Sequence, residues 1–271
     1  PGIFGSFVRA QVDLPCPGDL NQLPAILENL AASATGENPG PVHFNVPFPE
    51  PVLPEGEAEN FPLPKPRRLE SPKSSLDLPY SFFDSPHGVI LVGRLPLAEQ
   101  PFAALLLELS ERLGWPLIAD ALSGARQLPG VIGHADWILQ SRNVPAPERI
   151  LHFGGSLVSK RLGEWMLNCC GENYLQVRRF PERLDPWHQS PTLLRAGITE
   201  FLDFLEIQPQ SGWRDVWLES NQAVAEILSE VLDTNQLSEP AIARAVAANS
   251  SLLFLGGSLL FLYLSIDRIA F

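Results

Sequence analysis

The chain has 271 residues, of which 45% are hydrophobic and 18% charged, so it can bury a sizeable core and is not disordered overall. Its formal net charge of −12 argues against nucleic acid as a partner, because phosphate binding needs a basic surface. Cys16 and the adjacent pair Cys169-Cys170 have no metal-ligand spacing, and a reduced, intracellular compartment is the simplest expectation.

The first third of the chain predicts one helix, one strand and a linker. Asp19 is a fair N-cap for a helix that continues through Leu30 with its apolar residues on one face. Apolar and polar residues alternate over 42–46, which is typical of a short strand, and the prolines that follow end it. Residues 56–84 are proline-rich and of mixed charge, which indicates a linker or long surface loop.

A compact unit of strand, helix and strand follows the linker. Residues Gly88–Gly93 form a continuous apolar strand, as a parallel sheet covered on both faces requires. A helix is predicted from Leu97 to Leu113, closed by Gly114 as its C-cap. Its inward-facing residues are expected to be Phe102, Leu105, Leu106 and Leu109. A second strand, residues 115–120, ends at Asp120.

The remaining elements continue this alternation of strands and helices. Strands are predicted at 150–153 and 174–177, a short helix or strand at 137–139, and helices from Thr192 or Thr199 to Leu205, at 221–232 and at 240–248. Residues 211–218 are expected to be a boundary. The fold class that follows is α/β, a doubly wound parallel sheet.

The turn Gly154-Gly155-Ser156 stands between a buried strand and a helical pattern. The glycines permit a tight turn, and the N-terminus of the new helix would direct free N–H groups at whatever lies above the strand. Lys160 and Arg161 add two charges just inside that helix. The pattern therefore favours a site for a carboxylate or phosphate. The alternative, that both cations lie on a solvated helix face, stays open at this level.

The C-terminal segment 245–266 has no charged residue and is just long enough to span a bilayer. Asparagine, serines and glycines interrupt it, and residues 252–258 repeat the strand–glycine–serine pattern of 153–156. We interpret 252–255 as a second buried strand. A membrane span is the less favoured alternative.

Three motifs in order carry a family resemblance: GPVHFNVPFPEP at 40–51, FGGSLVSKRLGEW at 153–165 and RLDPWHQ at 183–189. With VILVGR at 89–94 and LGWPLIADALSGAR at 113–126, they resemble the thiamine-diphosphate enzyme 2-succinyl-5-enolpyruvyl-6-hydroxy-3-cyclohexene-1-carboxylate (SEPHCHC) synthase. That family makes a menaquinone or phylloquinone precursor.

The resemblance implies a central part of a chain about twice as long. Residues 1–55 would be the tail of the pyrimidine-binding domain, 85–210 a Rossmann-like middle domain and 211–271 the start of the diphosphate-binding domain. The activating glutamate and the Gly-Asp-Gly motif would lie outside this sequence. Thiamine diphosphate and Mg²⁺ are therefore expected in the complete enzyme, no catalytic residue is expected in this chain, and the chain alone is expected to be inactive.

The family decarboxylates 2-oxoglutarate and adds the succinyl group to isochorismate, so cations must hold carboxylates. The resemblance assigns substrate binding to Lys160, Arg161 and Ser258, although Gly257 and Leu262 depart from the family pattern around that serine. It also implies a homo-oligomer that acts on small carboxylates. The protein is expected in the cytoplasm or the plastid stroma and is not expected to bind a membrane.

Other polar residues have plainer interpretations. Asp185 is expected to cap a turn, and His43 and His152 are expected to be hydrogen-bonded structural histidines. His87, His134 and His188 lack the spacing of a metal site. A second hypothesis is a non-catalytic, Rossmann-like module that binds an anionic metabolite or nucleotide, but the Gly-x-Gly-x-x-Gly fingerprint of dinucleotide binding is absent.

Overall fold

The computed structural model describes residues 2–14, 23–36, 38–48, 80–141, 144–169, 171–179, 189, 191–203, 205, 213–232 and 238–249. The chain divides into two compact units, Pro1–Ser75 and Leu76–Phe271. Each unit is described by itself.

The first unit contains two parallel strands joined through a helix. Strand β1 (Ala10–Asp13) pairs with β2 (Val42–Asn45), and helix α1 (Leu23–Thr35) lies between them in sequence. Leu30 is the buried residue of α1, at the end of the apolar face that the sequence predicts. The predicted helix and strand are both confirmed, whereas the proposed cap Asp19 lies outside the described residues.

The second unit is a five-stranded, fully parallel sheet with helices on both faces. Its strands are β3 (Gly88–Val92), β4 (Leu117–Ala119), β5 (Arg149–Phe153), β6 (Tyr174–Val177) and β7 (Thr192–Leu194). Its helices are α2 (Ala103–Leu113), α3 (Ala135–Ile138), α4 (Lys160–Trp165), α5 (Ile198–Asp203), α6 (Arg214–Leu232) and α7 (Glu239–Ala248). The strand order is β4-β3-β5-β6-β7.

Alternate strand residues enter different cores, as the period of two in a strand requires. Ile90 and Val92 of β3 pack in one cluster with residues of α2 and α5. Val89 and Leu91 pack in the other cluster with residues of α3, α4 and α6. All five residues of β3 are buried, which explains their continuous apolar sequence. The predicted doubly wound parallel sheet is thereby confirmed.

Helix α2 ends where the sequence predicts. Gly114 adopts the left-handed conformation (φ 64°), and its N–H closes the last turn on the carbonyls of Ser110 and Glu111. The next residue, Trp115, is fully buried, and its Nε1–H donates to the Ser85 carbonyl at 2.8 Å. The turn therefore ends α2 and places the side chain of Trp115 in the core.

Two predicted helix starts, Leu97 and Thr192, are wrong. Phe102 is 41% exposed, because Gln100–Phe102 forms a 3₁₀ turn and α2 begins only at Ala103. Of the two starts predicted for the next helix, Thr192 is wrong, because Thr192–Leu194 is the edge strand β7. The other, Thr199, lies one residue from the start of α5 at Ile198. A three-residue edge strand is too short to show a period in the sequence.

Helix α6 also begins earlier than predicted, at Arg214 rather than Asn221. Its first turns pack on the sheet: Trp217 is buried, and the Nε1–H of Trp213 donates to the Gly88 carbonyl at 2.7 Å. The tryptophan spacing of four places both rings on one helix face. The expected boundary at 211–218 thus coincides with residues that belong to the core of this unit, while the division into domains at 211 stays a prediction.

Several predicted features lie outside the described residues, among them most of the linker and the strand at 252–255. Within the described part of the chain, no helix combines the length and the apolar character needed to cross a bilayer.

Candidate functional site

A cavity of about 970 Å³ opens at the carboxyl edge of the five-stranded sheet. Loops that follow four strands line it: 94–97 after β3, 121–124 after β4, 154–158 after β5, and 178–179 after β6. Strands β3 and β5 are neighbours, yet the chain leaves β3 toward β4 on one side and returns to β5 on the other. Such a point of reversal is where open α/β sheets bind ligands.

The loops after β3 and β5 are joined through their backbones. The N–H of Gly93 donates to the Phe153 carbonyl and the N–H of Gly155 donates to the Arg94 carbonyl, each at 2.9 Å. Gly154 has φ 80°, and a Cβ there would lie 2.8 Å from the Arg94 carbonyl oxygen. The predicted Gly-Gly turn is thus required both by its conformation and by the close approach of the two loops.

Three arginines and one carboxylate contribute charge to this cavity among its described lining residues: Arg94, Arg178, Arg179 and Glu99. Arg94 is exposed, whereas Arg178 is only 9% exposed. The Arg179 Nε–H donates to Glu99 Oε1 at 2.7 Å, and the N–H of Ile198 donates to Glu99 Oε2 at 3.3 Å. The cations therefore outnumber the carboxylate, and the lining suits an anion.

His152, on β5, hydrogen-bonds to the backbone of Gly155, which lines the cavity. Its Nε2 lies 2.9 Å from the Gly155 carbonyl and its Nδ1 lies 2.7 Å from the Tyr174 hydroxyl. Because a carbonyl can only accept, Nε2 carries the proton and Nδ1 accepts from the tyrosine. Burial lowers the pKa of His152 to about 4, against a smaller opposing effect of the Gly155 carbonyl, and the charge of Arg178 lowers it further. The structural role expected for this histidine fits these contacts.

The free energy of unfolding should decrease by up to about 3 kcal/mol as the pH falls from 6.5 toward 4, because the unfolded chain binds a proton at His152 that the folded chain excludes. Above pH 6.5 this contribution is constant, and below about 4 both states are protonated. Imidazole NMR should give a midpoint near 4, and His152→Gln should lose this part of the pH dependence. A midpoint near 6.5 would contradict the assignment.

Asp120, which directly follows β4, accepts a hydrogen bond from the loop after β5. Its Oδ2 accepts the Val158 N–H at 2.7 Å and its Oδ1 accepts the Leu122 N–H at 3.2 Å. Burial raises the pKa of this carboxyl, while these hydrogen bonds and the charge of Arg126 oppose the rise. Arg126 is itself buried and donates to the carbonyls of Ala119 and Gly133. Through these separate hydrogen bonds, Asp120 and Arg126 hold two loops beside the cavity in place.

The predicted cations Lys160 and Arg161 do not line this cavity. Helix α4 begins at Lys160, because Ser159 is its N-cap and accepts the Leu162 N–H at 3.0 Å. Lys160 is 83% exposed and pairs with Glu164 at 3.6 Å, and the Arg161 Nη1–H donates to the Asp136 carbonyl at 2.9 Å. The cavity therefore gives no support to these two residues, whose substrate role stays a prediction.

Other residues singled out in the sequence have varied positions. Ser258, Asp185 and His188 lie outside the described residues. His87 pairs with Glu148 at 3.2 Å. No group of three or more His, Cys, Asp or Glu side chains is placed to hold a metal ion in the parts of the chain that the structure describes.

Comparison with known proteins identifies the class. The family model described as the middle domain of thiamine pyrophosphate enzymes matches residues 70–255, which is more than half of the chain. The chain belongs to this family of thiamine-pyrophosphate enzyme domains.

Curated relatives bear a more particular name. SEPHCHC synthase from Shewanella amazonensis is 33% identical over 283 residues, which cover 95% of this chain and 49% of the relative. The synthase from Shewanella frigidimarina is 30% identical over 96% of this chain and 50% of the relative. The chain thus spans about half the length of the curated relatives it matches.

The fold agrees with a solved structure. Benzoylformate decarboxylase from Polynucleobacter necessarius matches 99% of this chain and 51% of its own, with a TM-score of 0.56 and 15% identity. At that identity the likeness concerns the fold alone.

Proposed function

We propose that this chain is part of a SEPHCHC synthase, a carboligase that decarboxylates 2-oxoglutarate and adds the succinyl group to isochorismate. The observation that carries the proposal is 33% identity over 95% of the chain to a relative of that name. The matched family of thiamine-pyrophosphate enzyme domains agrees with it. The same comparisons do not favour the second hypothesis, a non-catalytic, Rossmann-like module that binds an anionic metabolite or nucleotide.

The cofactors belong, in this proposal, to parts of the longer protein that the chain does not span. When bound, thiamine diphosphate supplies the electron sink that 2-oxoglutarate needs to lose carbon dioxide. Mg²⁺ would hold its diphosphate. The contribution of this chain, in this proposal, is the frame of the middle domain.

The proposed domain organisation keeps the expected limits of 1–55, 85–210 and 211–271. The first unit contributes a parallel strand pair, as the tail of an α/β domain would. The first turns of α6 pack on the sheet of the middle domain, and the helix extends to Leu232. As the first helix of residues 211–271, it would join the middle domain to the third domain. The complete enzyme is proposed to be a homo-oligomer in the cytoplasm or plastid stroma.

The proposal is tested with the complete gene product. The coding sequence is extended in both directions from its source, the protein is purified, and carbon dioxide release from 2-oxoglutarate is measured with thiamine diphosphate and Mg²⁺ present. We expect the coupled product, identified by mass spectrometry, only when isochorismate is added. Release of carbon dioxide without product from any isochorismate concentration would exclude the carboligase and leave a simple decarboxylase.

Lys160 and Arg161 are proposed to bind a substrate carboxylate in that complete enzyme. Both side chains are exposed at the start of α4 and can reach a group supplied by another part of the protein. Lys160→Ala and Arg161→Ala should each raise the KM for one carboxylate substrate about tenfold, because each removes a charge-assisted hydrogen bond. Arg112→Ala, on the exposed side of α2, is the matched control. Unchanged kinetics in both variants would remove the pair from the site.

A further inference from the structure

We infer that the cavity at the carboxyl edge of the sheet binds a small organic dianion, with an apolar body and two carboxylate or phosphate charges. The inference concerns the cavity described above and does not depend on the proposed reaction. Neither Lys160 nor Arg161 takes part in it.

The charge of the described lining sets the charge of the ligand. Arg94, Arg178 and Arg179 give three positive charges and Glu99 gives one negative charge, so the described lining has a net charge of +2. This excess stands in a chain whose formal net charge is −12. Guanidinium groups match carboxylate and phosphate oxygens in pairs, so a dianion is the complement of this lining.

Two of the three cations are held in place by the fold. Arg178 is 9% exposed and directly follows β6, where its backbone N–H donates to the Leu194 carbonyl at 3.0 Å. Arg179 is fixed by its 2.7 Å contact with Glu99, which in turn accepts from the start of α5. Burying a guanidinium group such as that of Arg178 costs free energy. A charged side chain buried at such a cost is more typical of a binding site than of an ordinary solvated surface.

The rest of the lining selects an organic ligand over an inorganic one. Leu95, Pro96, Leu97, Val158 and Val177 give the cavity a large apolar wall. Its volume of about 970 Å³ lies at the upper end of small-molecule pockets, which reach about 1,000 Å³. An inorganic phosphate would use the arginines and leave that wall in water, so it should bind more weakly than an organic dianion.

Binding to the 271-residue chain is measured by calorimetry with four probes. Glutarate tests a dicarboxylate and AMP tests a phosphate monoester, while adenosine lacks the charge and inorganic phosphate lacks the body. We expect glutarate or AMP to bind at least about tenfold more tightly than adenosine and inorganic phosphate. The stronger of the two identifies carboxylate or phosphate as the natural group. No binding of either up to about 10 mM, or equal binding of inorganic phosphate, would overturn the inference.

Arginine variants locate the binding. Arg94→Gln and Arg178→Gln should each weaken the stronger probe about tenfold or more, because each loses a charge-assisted contact. Arg112→Gln removes the same charge from α2, outside the cavity, and should leave the affinity unchanged. Arg94 is exposed, so its variant should fold even if the buried Arg178 cannot be replaced. Equal affinity in Arg94→Gln and Arg112→Gln would place the ligand elsewhere and refute the site.

Discussion

Gly93→Ala is expected to lower the free energy of unfolding by about 4 kcal/mol. A Cβ at this position would lie 1.9 Å from the Gly155 carbonyl oxygen and 2.8 Å from its carbon. Both atoms belong to the backbone, so relief requires β3 and the loop after β5 to move apart. That movement would weaken the 2.9 Å hydrogen bond from the Gly93 N–H to the Phe153 carbonyl. Chemical denaturation followed by circular dichroism measures the effect.

The matched control for this substitution is Gly171→Ala. Gly171 has φ 57°, and a Cβ there would meet nothing within 4 Å, so only the conformational cost of about 1 kcal/mol applies. Equal destabilisation of the two variants would show that the loops after β3 and β5 are not in tight contact, and the shape of the cavity would then need revision.

Asn221→Ala is expected to cost about 4 kcal/mol, because it leaves two buried N–H groups without an acceptor. The Asn221 side chain is buried, and its Oδ1 accepts from the N–H of Gly133 at 3.0 Å and of His134 at 2.9 Å. These contacts join α6 to the segment that leads into α3. The free energy of unfolding from urea titration gives the measurement.

The neighbouring residue provides the control for Asn221. Gln222 is exposed and contacts Glu226 on its own helix at 2.9 Å, so Gln222→Ala should change the stability by no more than about 0.5 kcal/mol. Asn221→Asp keeps an acceptor for both N–H groups and should be less damaging than alanine. If alanine is tolerated as well as in Gln222→Ala, then α6 does not depend on this contact for its docking.

The sheet was predictable because its inner strands are buried on both faces. β3 is apolar along its whole length, β5 and β6 are mostly apolar, and β3 and β5 are each followed directly by glycine. Edge strand β7 was not predictable, because three residues define no period and two of them are exposed. The start of α6 was missed for a different reason: Trp213 and Trp217 continue its apolar face, but a serine and glycine at 211–212 suggest a loop.

The sequence indicated the place of the cavity better than the residues that line it. The Gly154-Gly155-Ser156 turn does line the cavity. The prediction placed the helix directly after that turn, whereas residues 156–159 have no regular structure and α4 begins at Lys160. The signal for the cavity's own arginines was present in the sequence, since Arg94 and Arg178 come just after buried strands. The carboxyl ends of parallel strands share one edge, so these residues could have been grouped.

Helix α6 has a practical consequence for anyone who isolates the α/β unit. The rings of Trp213 and Trp217 cover Val89, Leu91 and their neighbours on one side of the sheet. A truncation ending at residue 210 would remove both rings and expose the hydrophobic face of the sheet to water. The shortened polypeptide would then aggregate. A clone ending after residue 232 retains the whole helix and is the piece to express.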